Sequence, residues 1–141
     1  MKQKIFIDTN VMVDLLARRA PFYEDAKRLF SLVDMGKCTA VVAALSFSTT
    51  AYLLERKLSY EDLSLVLRQF ASIVEIASID ERVVRKSLAT TSHFRDIEDA
   101  MQHYAAMQSE CDVIITRNVK DFSQSDIPVF SPGEYLKSFK Y

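Results

Sequence analysis

Short apolar runs alternate along this chain with longer segments in which apolar residues recur every three or four positions. Four apolar runs predict strands, at residues 5–7, 40–45, 74–79 and 113–115. Three of them are nearly continuous in apolar residues, which is typical of strands that are buried on both faces. A weaker strand is predicted at residues 127–130, where Pro128 lacks an amide donor and therefore favours the edge of a sheet.

The segments between these runs carry helical periodicity. Apolar residues from Phe22 to Val33 recur at helical spacing and end before Gly36, which predicts a helix with a glycine at its C-terminus. Ser59 is a good N-cap for a second helix. The remaining pattern predicts helices at residues 48–57, 60–72, 80–89 and 96–108, and a short one near Pro132. This alternation predicts an α/β fold, with a mostly parallel sheet and helices on both faces.

Length and composition favour one globular domain that spans residues 1–141. The chain is 49% hydrophobic and 26% charged, which excludes a disordered protein, and its 2 glycines and 3 prolines are too few for an all-β sandwich. The net charge of -1 argues against a general nucleic-acid coat protein. Contact with nucleic acid would therefore need local basic patches, and the candidates are Arg18-Arg19, Arg56-Lys57, Arg95 and Arg117.

The two cysteines, Cys38 and Cys111, stand far apart, outside any CxxC motif and next to apolar runs. We expect them to be buried thiols, which favours a reducing, cytoplasmic setting over a disulfide framework. The first apolar run is too short for a signal peptide or a membrane span, so no membrane association is expected.

Acidic residues cluster where strands end or helices begin. Asp8 directly follows the first strand, Asp121 lies in the segment after the fourth, and Asp96, Glu98 and Asp99 open the helix before that strand. Because ligands gather at the carboxyl ends of parallel strands, these three segments are expected to share a crevice. Mg²⁺ and Mn²⁺ prefer such hard oxygen ligands, and a bound ion activates water for attack on a phosphate.

Each of these acids also has a purely structural interpretation. Asp8 is a suitable N-cap for a helix that begins near Val11. The acids at 96–99 complement a helix N-terminus, by roughly 0.3–1 kcal/mol each, and Asp121 suits a turn. Spacing alone does not separate the two interpretations. His93 and His103 form no HExxH motif, no Ser-His-Asp arrangement stands out, and neither a GxGxxG motif nor a P-loop is present.

Two stretches carry a resemblance to a known family, "FIDTNVMVDLL" and "DAMQHYAAMQSECDVIITRNVKDF". Together they resemble PIN-domain proteins, most closely the bacterial branch that includes the toxins of VapBC-type toxin–antitoxin pairs. The similarity runs from residue 4 to about residue 135. It implies a three-layer α/β/α sandwich with about five parallel strands, and a Mg²⁺- or Mn²⁺-dependent ribonuclease that hydrolyses RNA phosphodiester bonds. It also implies an antitoxin partner and a homodimer.

The resemblance carries family residues onto Asp8, Thr9, Asp99 and Thr116. This sequence departs from the family pattern in two places. Asn118 replaces an aspartate that many members have, and the helix after the second strand lacks the usual glutamate, since its only acid is Glu55.

The resulting hypothesis is that Asp8 and Asp99 hold the metal ion. Asn118 and one of three acids, Asp96, Glu98 or Asp121, would complete the site, and Thr116 belongs to the catalytic set. Arg18, Arg95 and Arg117 would bind the RNA backbone.

The sequence also bears on three other functions. A catalytically degenerate PIN scaffold would bind RNA or a protein without cleaving, as the departure at Asn118 suggests. A haloacid-dehalogenase-like phosphatase is disfavoured because the second aspartate it needs is Asn10 here. A receiver domain is disfavoured because no acidic pair precedes the first strand.

Overall fold

The computed structural model describes residues 2–89 and 93–139, and they are built around one five-stranded sheet. All strand pairs are parallel, and the order across the sheet is β3-β2-β1-β4-β5. The strands are β1 Lys4–Ile7, β2 Thr39–Ala43, β3 Glu75–Ala77, β4 Val113–Ile115 and β5 Val129–Phe130. The sequence prediction of a mostly parallel sheet is confirmed, and β5 lies at an edge as Pro128 suggested.

Helices connect the strands and cover the sheet. They are α1 Thr9–Leu16, α2 Tyr23–Asp34, α3 Ala44–Leu54, α4 Tyr60–Ala71, α5 Glu81–Leu88, α6 Ile97–Gln108 and α7 Pro132–Ser138, with a 3₁₀ helix at Val119–Phe122. The cap predicted for α4 is present, because the Ser59 side chain accepts a hydrogen bond from the amide of Asp62 at 3.1 Å. Within the part of the chain that the structure describes, no helix is long and apolar enough to cross a membrane.

Two hydrophobic cores lie on opposite faces of the sheet. Side chains alternate between the faces of a strand, so Ile5 and Ile7 of β1 enter one core and Phe6 enters the other. The first core is completed by residues of α1 and α2, among them Val11, Met12 and Leu29. The second core contains Ala105, Ala106 and Phe122. This arrangement is the three-layer α/β/α sandwich that the sequence predicted.

Gly36 ends α2 in the way that its position predicted. Its φ is 75°, in the left-handed region that favours glycine. The Gly36 amide donates to the carbonyl of Val33, and the Lys37 amide donates to that of Leu32, both at 2.9 Å. These two bonds form a Schellman motif, which satisfies carbonyls at the helix end.

The boundary between β2 and α3 was predicted wrongly. We expected a strand through residue 45 and a helix from residue 48, but β2 ends at Ala43 and α3 begins at Ala44. The residues on both sides of the boundary, Val42 to Leu45, are all apolar, and no side chain caps the start of α3. Without a polar capping residue, the hydrophobic pattern contains nothing that marks the change from strand to helix.

Cys38 and Cys111 are both buried free thiols, as the apolar runs beside them predicted. They lie in different cores, Cys38 with the residues around Ile5 and Cys111 with those around Phe6. The sheet therefore separates them, and neither forms a disulfide.

Candidate functional site

The register between β1 and β4 places Asp8 beside Thr116. Ile7 of β1 is paired with Ile115 of β4, so the next residue of each strand emerges at the same point of the sheet edge. The Asp8 amide donates to the Ile115 carbonyl at 2.9 Å, and the Thr116 hydroxyl donates to Oδ2 of Asp8 at 2.6 Å. Parallel pairing of two strands thus joins residues that are 108 positions apart in the sequence.

Asp8 does not cap α1 with its side chain. It occupies the N-cap position, with extended backbone, but the carboxylate makes no capping hydrogen bond. Instead, one oxygen accepts from Thr116 and the other, Oδ1, accepts from Nε2 of Gln102 at 2.8 Å. Residues from other elements therefore hold this carboxylate at the sheet edge, in place of a capping hydrogen bond to α1.

Gln102 belongs to the site but was missed in the sequence. It lies on α6 with no exposed surface, and its Oε1 accepts hydrogen bonds from the amide of Thr9 at 3.0 Å and its hydroxyl at 3.2 Å. The signal that points to it is helical spacing, since Gln102 follows Asp99 by three residues and shares its face. A buried amide on that face needs polar partners, and these are supplied by the residues after β1.

A crevice of about 300 Å³ lies at this edge of the sheet, and segments from across the sequence meet there. The sequence-predicted residues that line it are Asp8, Thr9, Arg19, Arg95, Asp96, Glu98, Asp99, Asn118 and Asp121. The other lining residues are Asn10, Val13, Thr49 and Leu53. Thr116 is completely buried behind Asp8, which it holds. Glu55 is exposed at the end of α3 and does not line the crevice.

Asp96 combines the two roles that the sequence left open. Its Oδ1 caps α6 by accepting from the amide of Asp99 at 2.8 Å. The same residue lines the crevice, so its negative charge adds to the field there. Glu98, in the first turn of α6, accepts a hydrogen bond from the Thr49 hydroxyl at 3.1 Å, which connects α6 to α3.

The crevice holds an excess of negative charge. Five carboxylates line it but only two arginines, Arg19 and Arg95. Burial, and after it repulsion from the neighbouring carboxylates, Asp96 first and then Asp8, together raise the pKa of Asp99 to about 7. A carboxylate with such a pKa lies in a site that lacks positive charge.

The pKa values of two other acids in the crevice are also raised. Burial raises the pKa of Asp8, although the hydrogen bonds from Thr116 and Gln102 oppose this shift. The pKa of Glu98 is also raised, mainly by burial and partly by the charges of Asp8 and Asp96. A cation bound among these groups would remove the repulsion that raises these pKa values.

The arginines differ in what they can reach. Arg95 lines the crevice and contacts Asp121, with 3.4 Å between Nη1 and Oδ2. Arg18 is exposed and lies outside the lining, whereas its neighbour Arg19 is part of it. Arg117 is also outside the lining, because its Nε binds the buried carboxylate of Asp14 at 2.6 Å. Only Arg95 of the three predicted RNA-binding arginines therefore faces the crevice.

His103 is a core residue and does not line the crevice. It is 2% exposed, its Nδ1 lies 3.0 Å from the hydroxyl oxygen of Ser125, and its ring packs on Phe94 with 4.6 Å between centroids. Burial lowers its pKa, which favours the neutral imidazole. His93 is exposed, and it does not line the crevice either.

The donor set fits a magnesium or manganese ion that keeps part of its water shell. In residues 2–89 and 93–139, no three Asp, Glu, His or Cys side chains converge closely enough to enclose a metal by themselves. Mg²⁺ is commonly held by one or two carboxylates and several waters, and Asp8 and Asp99 with an open crevice match that requirement. Softer metals are disfavoured because no histidine or cysteine lines the crevice.

A model of a known domain family, described as PIN domain, matches residues 4–120 of this chain. The matched segment begins with β1 and ends in the 3₁₀ helix after β4. It therefore contains every carboxylate of the crevice except Asp121.

Similar proteins agree with that match. Ribonuclease VapC1 of Aquifex aeolicus is 24% identical, and the alignment covers 96% of this chain and 94% of that protein. A toxin–antitoxin complex from Klebsiella pneumoniae contains a chain with a TM-score of 0.67 and 22% identity, covering 91% of this chain and 97% of the other. VapC20 of Mycobacterium tuberculosis, a toxin that cleaves the Sarcin-Ricin loop, gives a TM-score of 0.61 at 15% identity, over 78% of this chain and 86% of its own.

Proposed function

Because this chain belongs to the PIN-domain family, we propose that it is a metal-dependent endoribonuclease that hydrolyses RNA phosphodiester bonds. The observation that carries the proposal is the crevice at the carboxyl end of β1 and β4. There, five carboxylates face two arginines, and the pKa of Asp99 is raised to about 7. Such uncompensated charge suits a divalent cation.

In the proposed site, Asp8 and Asp99 hold Mg²⁺ or Mn²⁺, with Asp96, Glu98 or Asp121 nearby. When bound, the ion supplies Lewis acidity and lowers the pKa of a water molecule. Asn118 offers an amide at the crevice wall, which can orient that water or a phosphate oxygen. Asn118 adds no charge, so the negative charge of the site comes from Asp8, from the three acids at the start of α6 and from Asp121.

Arg95 and Arg19 are the residues of this chain best placed to bind the phosphates of RNA, since both line the crevice. Arg95 is the more available of the two, because its ion pair with Asp121 is long, at 3.4 Å, and its side chain is 71% exposed. Arg19 is 42% exposed and is held by Asp14 at 3.0 Å. Arg18 and Arg117 are not among the proposed phosphate contacts, because neither residue lines the crevice.

The relatives extend the proposal to a biological setting. VapC20 is a toxin that cleaves the Sarcin-Ricin loop, and another similar chain occurs in a toxin–antitoxin complex. We infer that this chain is the toxin of such a pair, that an antitoxin protein is its partner, and that it acts on RNA in the cytoplasm as a homodimer. Coexpression with the product of a neighbouring gene, followed by co-purification, would test the partner.

A second function is supported by a specific observation. No three metal-binding side chains converge in the described residues, Asn118 stands where many family members have an acid, and Glu55 does not line the crevice. These features also suit a PIN scaffold that binds RNA or a protein without cleaving it. Such a scaffold predicts that millimolar Mn²⁺ leaves the melting temperature unchanged, whereas the nuclease predicts a clear rise.

Cleavage of labelled RNA in the presence of Mn²⁺ tests the leading proposal. Asp8→Asn and Asp99→Asn should abolish cleavage, because each removes a metal-binding charge while keeping the size of the side chain. EDTA should have the same effect on the parent protein. Asp62→Asn, an exposed change on α4, is the matched control and should cleave like the parent.

Contamination by another nuclease is the main alternative explanation of any activity. If Asp8→Asn and Asp99→Asn cleave as fast as Asp62→Asn, the activity does not come from this crevice and the proposed site is wrong. The same three variants should be melted with and without Mn²⁺. The stabilisation by Mn²⁺ should be present in Asp62→Asn and lost in the other two.

A further inference from the structure

One buried glutamine joins the two residues that follow β1. Gln102 lies in the middle of α6 with no exposed surface, and its side chain amide contacts both Asp8 and Thr9. Its Nε2 is 2.8 Å from Oδ1 of Asp8, and its Oε1 is 3.0 Å from the amide nitrogen of Thr9. The side chain therefore spans from α6 to the turn at which β1 becomes α1.

The orientation of this amide is determined by its partners. The backbone N–H of Thr9 can only donate, so the group that faces it must be the carbonyl oxygen of Gln102. The NH₂ group then necessarily faces Asp8, where a carboxylate accepts. The Thr9 hydroxyl, 3.2 Å from the same carbonyl oxygen and 2.6 Å from Oγ of Ser46, reinforces this orientation and connects it to α3.

Both oxygens of Asp8 are consequently held by uncharged donors. Gln102 donates to Oδ1 and the Thr116 hydroxyl donates to Oδ2, and both donors are completely buried. Two hydrogen bonds on different oxygens prevent the carboxylate from rotating about its Cβ–Cγ bond. Because neither donor carries a charge, the negative charge of Asp8 stays available to a cation at the crevice.

We propose that Gln102 is a positioning residue of the metal site, which holds Asp8 in the one orientation that receives a divalent cation. It acts from behind the ligand, through its hydrogen bond to Asp8, and does not touch the cation. Groups that orient metal ligands in this way typically change metal affinity by 10–100-fold when they are removed. The inference rests on the proposed function in one respect, namely that the crevice binds a divalent cation.

Gln102→Met tests this role, because methionine has a similar length and volume but donates no hydrogen bond. Mn²⁺ affinity should be measured directly, from the free-ion signal in electron paramagnetic resonance, well below the melting temperature. We expect Mn²⁺ to bind Gln102→Met about 10–100-fold more weakly than the parent. Cleavage by the variant should recover largely when Mn²⁺ is raised in proportion, which a general loss of structure would not allow.

The chain offers a matched control on the same helix. Gln108, at the end of α6, also donates its Nε2 to an aspartate, Asp80, at 2.9 Å, but this pair is exposed and lies outside the crevice. Gln108→Met removes the same kind of hydrogen bond and should leave Mn²⁺ affinity within about twofold of the parent. Should Gln102→Met not melt cooperatively, Gln102→Asn serves instead, because its shorter amide cannot reach both Asp8 and Thr9.

The outcomes separate the inference from the proposed function. Parent-like Mn²⁺ affinity in the folded Gln102 variant would overturn the positioning role and leave the nuclease intact. Mn²⁺ binding by the parent without any RNA cleavage would overturn the nuclease, and the Gln102 comparison would still decide the positioning role. A parent that binds no Mn²⁺ at all would overturn both.

Discussion

Arg117 is bound by the buried carboxylate of Asp14, with its Nε 2.6 Å from Oδ2, and its guanidinium lies 3.9 Å from the centre of the Phe22 ring. Asp14 is 1% exposed and belongs to α1, whereas Arg117 follows β4. Arg19 occupies the other carboxylate oxygen at 3.0 Å. This ion pair fixes the segment after β4 against the end of α1, and these are two of the segments that border the crevice.

We predict that Asp14→Ala destabilises the protein by about 3 kcal/mol. The variant would leave the half-buried Arg117 without its partner, and an unpaired buried charge is more costly than a lost surface contact. Urea unfolding followed by circular dichroism measures the difference. Glu81→Ala is the control, because it breaks an exposed pair with Arg85 and should cost less than about 0.5 kcal/mol. Equal losses in the two variants would show that the Asp14 pair contributes no more than a surface pair.

The raised pKa of Asp99 predicts a characteristic pH dependence of stability in the absence of metal. Folding raises the pKa of Asp99 from 3.8 to about 7, so the folded protein binds the proton more tightly than the unfolded chain. Between about pH 4 and pH 7, this group therefore lowers the free energy of unfolding as pH rises, and above pH 7 the loss is complete. Asp99→Asn removes the titrating carboxyl group and therefore this loss of stability.

Asp99→Asn should thus be more stable than the parent at pH 8, by on the order of 2 kcal/mol, and nearly equal to it close to pH 4. Urea titrations in EDTA at a series of pH values measure this difference. His103 acts in the opposite direction, since its lowered pKa reduces stability as pH falls below 6.5. Its contribution is present in both proteins and cancels in the comparison. A constant difference at all pH values would contradict the assignment to Asp99.

Arg95→Ala should weaken the binding of RNA without affecting the binding of Mn²⁺. Arg95 lies at the crevice with a largely exposed side chain, so its contribution to phosphate binding is electrostatic and falls with salt. We expect KM for RNA to rise about 3- to 10-fold at low salt, and the salt dependence of KM to become shallower. Arg82→Ala on α5, exposed and outside the crevice lining, should behave like the parent. An equal rise of KM in the Arg95 and Arg82 variants would indicate a non-specific charge effect.

Gly36→Ala should destabilise the protein by about 1 kcal/mol, because alanine is strained at the φ of 75° that the end of α2 requires. The space around Gly36 is not the obstacle, since an added Cβ would meet only Lys2 Nζ at 3.6 Å. Gly133 is the control, because it lies in α7 without a positive φ. An added Cβ there meets the flexible end of Asp25 at 3.2 Å, and Gly133→Ala should change stability by less than about 0.5 kcal/mol. Thermal melts of both variants test the difference.

The fold was predictable because it follows from local patterns. Apolar runs mark strands that are buried on both faces, and Ser59 and Gly36 mark helix ends through hydrogen bonds to nearby backbone groups. Where such a marker is missing, as between β2 and α3, the boundary was misplaced by four residues at the start of the helix, which was expected at residue 48 and begins at Ala44.

The candidate site was only partly predictable. Motif positions identified the acids, since Asp8 and the acids of α6 stand beside strand and helix ends. They did not identify the partners of those acids. Asp14 has no marker in the sequence, and Gln102 is marked only by its helical spacing from Asp99. Their importance comes from contacts with residues 103 and 94 positions away, respectively. The same limit applies to the arginines, because only packing shows that Arg117 is bound to Asp14 while Arg95 remains exposed.

The sequence by itself determined the strands, most helices and the set of acids that could form a metal site. The tertiary structure decided how Asp8 is used. A carboxylate at an N-cap position commonly caps its helix. At Asp8 the hydrogen bonds come instead from Thr116, which follows β4, and from Gln102 on α6. Only parallel pairing of β1 with β4, and the packing of α6 against the sheet, bring those donors to Asp8.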